Sequence, residues 1–107
     1  MIEEKSMFNI EFENSEKLIV YPKGELDVYT SPEFKESVIN KYRKDKKNIL
    51  IDAEELEYID STGLGALIFI LNEISEDENK ITLINVKSSI KKLFTITKLD
   101  SVFEMRD

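Results

Sequence analysis

Apolar and polar residues alternate from Met7 to Glu13, with Phe8, Ile10 and Phe12 on one side and Asn9, Glu11 and Glu13 on the other. A repeat of two is that of a half-buried strand. Asn14-Ser15-Glu16 reads as a turn. Lys17 to Lys23, with Leu18, Ile19, Val20 and Tyr21 in succession, reads as a second and more buried strand, and the two predict an antiparallel hairpin. Gly24-Glu25-Leu26-Asp27 is expected to leave the sheet.

The period then changes. Thr30-Ser31-Pro32-Glu33 carries a hydroxyl cap, a proline in the first turn and a glutamate spaced for a capping box with Thr30. Phe34, Val38 and Tyr42, with Ile39 beside them, form the apolar stripe of the helix that follows. Asn48 to Asp52 is a short apolar run, expected to be a strand covered on both faces. A second helix is predicted from about Ser61 to Ser75, burying Leu64, Leu67, Ile68, Leu71 and Ile74, and ended by Glu76-Asp77-Glu78-Asn79. Ile81 to Ile84 is another buried strand. Ser88 or Ser89 is placed to cap a third helix carrying Ile90, Leu93, Phe94 and Ile96, and Val102 to Met105 can form a last short strand. The fold class is therefore α/β: a hairpin followed by alternating helices and strands, giving a mixed sheet with parallel pairing at its centre and helices packed on it. Residues 1–107 are read as one domain. In such sheets functional loops gather at the carboxyl ends of the parallel strands.

Composition removes most chemistry. The 107 residues include no cysteine and no histidine, so thiol catalysis, Cys/His zinc sites and histidine-dependent triads are excluded. Fifteen basic against twenty-two acidic residues give a net charge of −7, which disfavours nucleic acid and anionic membranes as partners. The one basic cluster, Lys41, Arg43, Lys44, Lys46 and Lys47, reads as the solvated end of a helix. The longest apolar run, Ala66 to Leu71, cannot span a bilayer, and the start of the sequence has no leader-like pattern. A cytoplasmic protein without metal or cofactor is expected. Asp52 ends a strand as a phosphoacceptor aspartate does, but no acidic pair follows the first strand, and Asp52 is read as structural.

One segment stands out. Ile59-Asp60-Ser61-Thr62-Gly63-Leu64-Gly65 puts two good N-cap residues and two glycines at a helix start. Each glycine lowers helix propensity by about 1 kcal/mol relative to alanine. Two readings fit. Ser61 is a capping serine and the glycines serve tight packing, or the small residues admit another protein's surface and leave the Ser61 hydroxyl within its reach. Asp27, likewise, fits both a cap before the first helix and a contact with a partner. Phe69 falls on the far side of the second helix from Leu67 and Leu71, either under a loop or as an exposed contact.

That segment resembles the signature of the STAS domain family, named for sulphate transporters and anti-sigma factor antagonists. Gly24-Glu25-Leu26-Asp27 resembles the family's segment after the second strand, Ile49-Leu50-Ile51-Asp52 its central strand, and Ser89-Ile90-Lys91-Lys92-Leu93-Phe94 its late helix. The resemblance covers most of the chain, in order. It implies a STAS-like sheet and a bacterial anti-sigma factor antagonist. Such a protein, when unphosphorylated, binds an anti-sigma factor with serine kinase activity and frees the sigma factor; phosphate on the serine matching Ser61 ends the complex, and a phosphatase restores it. Carried over, Ser61 is the acceptor, with Thr62 the lesser candidate, and Asp27, Asp60, Ser61, Thr62, Gly63 and Leu64 face the partner. The alternative within the family is a scaffold subunit of a larger signalling assembly. In two places the sequence departs from the pattern. Thr97-Lys98-Leu99 stands where relatives often carry a glycine, and the sequence ends where many relatives have a further helix, so that turn is expected to differ and one sheet face to be less covered.

Overall fold

The computed structural model describes residues 8–106. Strands β1 (Asn9–Asn14) and β2 (Leu18–Leu26) pair antiparallel, Asn9 opposite Lys23 and Asn14 opposite Leu18, as the alternation predicts. Met7, placed at the start of the first strand, lies outside the described residues. Helix α1 (Ser31–Lys44) leads to β3 (Ile49–Asp52). After β4 (Leu56–Ile59) come α2 (Ser61–Ser75), β5 (Ile81–Ile84), α3 (Ser88–Ile96), a 3₁₀ turn (Leu99–Ser101) and β6 (Glu104–Arg106). The sheet order is β1-β2-β3-β5-β6, with parallel pairing from β2 to β6.

Gly24-Glu25-Leu26 does not leave the sheet. It is the end of β2, and it pairs in parallel with β4, Leu26 beside Ile59, after a register shift between Gly24 and Glu25. β4 itself has no alternation to betray it. Its burial runs buried, exposed, exposed, buried, so Leu56 and Ile59 sit three apart and mimic neither a strand nor a helix. Nor is β3 covered on both faces. On β2 and β3, buried Leu18, Val20, Ile49 and Ile51 alternate with half-buried Ile19, Tyr21, Leu50 and Asp52, so the core lies on one side of this part of the sheet.

The stripe Phe34, Val38, Ile39 and Tyr42 of α1 is buried as expected, but the capping box is absent. Thr30 has a helix-like backbone and no side-chain cap. Its hydroxyl donates to the Glu25 carbonyl at 2.8 Å and accepts from the Asp27 N–H at 2.9 Å, closing the turn that precedes the helix. On α2, Leu64, Leu67 and Ile74 are buried, while Ile68 and Leu71 sit at the core's margin and Ala66 and Ile70 take the central places. Neither Ser88 nor Ser89 caps α3; extended Lys87 precedes it without a side-chain cap. Ile96 and Val102 are exposed, and the last strand begins at Glu104, after buried Phe103 has packed edge-on against Phe94.

The basic end of α1 is a solvated helix terminus knitted to its surroundings. Arg43 pairs with Glu73 at 3.2 Å, Lys46 with Asp77 at 3.6 Å and Lys47 with Asp45 at 3.1 Å. Buried Tyr42 bonds Asp77 and Asn79, both at 2.8 Å, which ties the ends of α1 and α2 together.

Lys98, where a glycine was expected from the family pattern, adopts φ 64, the left-handed conformation glycine favours. Replacing it should therefore relieve strain. Lys98→Gly is expected to raise stability by roughly 0.5–1 kcal/mol, net of glycine's larger unfolded-state entropy. For a domain of this size that is a melting-temperature gain of about 2–8 °C, readable by calorimetry.

Candidate functional site

The carboxyl ends of β2 and β4 lie side by side, and each delivers the chain into a helix. Asp60 follows Ile59 as the N-cap of α2, with extended backbone (φ −113, ψ −171). Its N–H donates to the Leu26 carbonyl at 3.2 Å, which anchors the helix start to the end of β2. Its carboxylate Oδ1 accepts from the Thr62 N–H at 2.9 Å, the Gly63 N–H at 3.1 Å and the Thr62 hydroxyl at 2.5 Å. These donors, the Thr62 hydroxyl foremost, hold the Asp60 carboxyl below the usual carboxylate range. A depressed acid stabilises the fold above its unfolded pKa, so this cap is in force at neutral pH and is lost only as acid protonates it.

With Asp60 as the cap, Ser61 is free of that duty. It is the first residue of α2, it is exposed, and no side-chain hydrogen bond ties its hydroxyl to another described residue. The neighbouring hydroxyl differs, since Thr62, also exposed, is held by Asp60. No acidic residue occupies the first turn of α2, so the positive end of the helix is open to an added anion next to Asp60.

The two glycines have separate explanations. A Cβ on buried Gly63 would come within 2.6 Å of both the Leu26 carbonyl oxygen and Ile59 Cγ1. Gly63 is thus a packing glycine, and buried Leu64 beside it is core. A Cβ on Gly65 would meet nothing within 4 Å. The fold has no need of that glycine.

Asp27 follows Leu26 on the neighbouring strand. Its Oδ1 accepts from the Tyr29 N–H at 3.0 Å and the Thr30 N–H at 3.2 Å, so the capping half of its sequence reading is what the structure displays. Asp52 is structural too: its Oδ1 accepts from the Glu54 N–H at 3.2 Å and Asn85 Nδ2 at 3.0 Å, joining the loops after β3 and β5. Lys87 reinforces that join, donating to the Glu54 carbonyl at 2.6 Å.

Between the starts of α1 and α2 runs a groove of about 350 Å³, touched by Val28, Lys35, Thr62, Gly65, Ala66 and Phe69. Phe69 is not under a loop; it is 44% exposed, with the Lys35 ammonium 4.4 Å from its ring centroid. The groove is hard to read from the sequence because it joins two helices about thirty positions apart. Its one local signal in the sequence is Phe69, off the buried stripe of α2. No described helix is long and apolar enough to cross a membrane, and no metal-binding cluster occurs among the described residues.

Fold and site together define a small α/β module that displays an unencumbered serine at the mouth of a helix. Residues 8–107 match the STAS domain, and the chain belongs to that family. The anti-sigma-B factor antagonist of Staphylococcus aureus (strain NCTC 8325 / PS 47) is 35% identical over 85 residues, which cover 78% of each chain. An anti-sigma factor antagonist from Mycobacterium paratuberculosis has a crystal structure that superposes with a TM-score of 0.84 at 17% identity, covering 97% of this chain and 89% of that one. The Bacillus cell fate determinant SpoIIAA, solved in its phosphorylated form, superposes with a TM-score of 0.70 at 20% identity over 94% of this chain and 91% of its own. At those identities the two superpositions establish the fold.

Proposed function

We propose that this chain is a cytoplasmic anti-sigma factor antagonist, a binding regulator and not an enzyme. In its unphosphorylated form it binds an anti-sigma factor with serine kinase activity and so releases a sigma factor. Phosphorylation of Ser61 by that partner switches binding off, and a phosphatase acting on Ser61 restores it. Asp27, Asp60, Thr62, Gly63 and Leu64 shape the surface around the acceptor. Asp27 and Asp60 do so through the turns they cap, and Gly63 and Leu64 by seating the helix. The observation that carries this reading is the contrast at the start of α2: the Ser61 hydroxyl is exposed and bonded to no other described residue, while the Thr62 hydroxyl beside it is engaged by Asp60. The curated relatives' role as anti-sigma-B factor antagonists supports it.

The test is direct. Incubation with ATP and a candidate anti-sigma factor kinase from the same genome, followed by phosphosite mapping by mass spectrometry, should place one phosphate on Ser61. Phosphate on Thr62 alone, or on neither residue, overturns the assignment.

A further inference from the structure

The proposed antagonist reading accounts for Ser61 and Asp60 but not for Gly65. A glycine in the second turn of a fifteen-residue helix costs stability, and nothing in the fold occupies the space its missing side chain leaves. That space opens into the groove between α1 and α2. Around it the surface is unusually apolar. Val28 and Phe69 are exposed on its walls, and α2 carries no charged residue from Ser61 to Asn72. Thr62, the neighbour of Ser61, touches the same groove, so any protein covering Ser61 closely lies against it.

One charge stands there. Lys35 touches the groove, its ammonium lies over Phe69, and no carboxylate among the described residues is in ion-pair range of it. Lys23, Lys46 and Lys47 each have a carboxylate partner, whereas Lys41, which also lies over a ring, has none among the described residues. A cation left beside an apolar slot suits an occupant that brings both an apolar side chain and an acid.

We infer that the α1–α2 groove is the anchor pocket for the kinase partner: an apolar side chain of the anti-sigma factor seats over Gly65 between Val28 and Phe69, and an adjacent carboxylate pairs with Lys35. The inference rests on the antagonist reading and deepens it by assigning the groove's occupant. Gly65 is kept at the fold's expense because a side chain there would fill the seat. Interface energy concentrates in a few such buried anchors, so the effect of filling it is large.

Binding of the purified kinase that phosphorylates Ser61 in the test above is measured by calorimetry with a non-hydrolysable ATP analogue, so that no phosphate is transferred. Gly65→Ala should melt roughly 3–6 °C higher than the unaltered chain yet bind more weakly, and Gly65→Leu should bind about tenfold more weakly or worse with its fold intact. Lys35→Glu should lose about as much, with Lys35→Arg close to unaltered. Folded Gly65→Leu binding within twofold of the unaltered chain overturns the pocket, and Lys35→Glu doing so overturns the acidic occupant. If the unaltered chain itself does not bind, the antagonist reading falls, and the inference falls with it.

Discussion

Ser61→Asp is expected to abolish capture of the anti-sigma factor while leaving the fold untouched, and Ser61→Ala to bind constitutively and accept no phosphate. The two halves of that expectation have different physical sources. A helix N-terminus tolerates negative charge, and the first turn of α2 contains no acid that a new one would crowd. The Ser61 side chain is exposed and makes no hydrogen bond to another described residue, so replacing it removes nothing. Melting temperatures of all three proteins should agree within about 4 °C, because an exposed substitution away from caps and core rarely moves stability by more than about 0.5 kcal/mol. Binding is another matter. A small hydroxyl that a partner covers becomes a carboxylate, or a phosphate carrying about −1.5 to −2 charges, in a contact that must exclude water. A penalty of only about 3 kcal/mol lowers affinity more than a hundredfold. Calorimetric titration of the kinase with each variant reads the difference. Tight binding by a folded Ser61→Asp protein would show that charge at this position is not the switch.

Much of this site could be read from the sequence because its logic is local. Hairpin alternation and the stripe Phe34-Val38-Tyr42 each bear the period of the element they form, while the run Ile49-Leu50-Ile51 marks a strand but hides its one-sided burial. The start of α2 follows from short-range chemistry, while the choice of Asp60 over Ser61 as its N-cap, and with it the exposed Ser61 hydroxyl, is visible only in the structure. The misreadings occurred where a residue's role is set by something distant. Thr30 has the spacing of a capping box, but the end of β2 offers its hydroxyl a nearer acceptor in the Glu25 carbonyl. β4 carries no sequence signal because its two buried residues answer to β2 and α2 and not to a repeat of their own. The two glycines look equivalent in sequence. Only the approach of Leu26 and Ile59 to one of them, and of nothing to the other, separates a packing requirement from an unfilled surface.

That separation yields a second large effect, opposite in sign to the one at Gly65. Gly63→Ala adds a single methyl group, in a place where two neighbours would stand 2.6 Å from it. One is the Leu26 carbonyl oxygen, a backbone atom that cannot rotate away. It also accepts the Asp60 N–H at 3.2 Å, so moving it loosens the bond that seats the helix. The other, Ile59 Cγ1, belongs to a buried side chain of the core. Relief must come from lifting the start of α2 off the sheet, which also disturbs the Gly63 N–H bond to Asp60. Overpacking of this kind costs about 1–3 kcal/mol, a fall of roughly 4–20 °C in melting temperature for a domain of this size. Because Ser61 rides on that turn, the folded fraction of Gly63→Ala should also be phosphorylated more slowly than the unaltered chain at a temperature where both are folded. A Gly63→Ala protein that melts with the unaltered chain would show that α2 can shift without cost, and a serine on so loose a helix could not be what the partner reads.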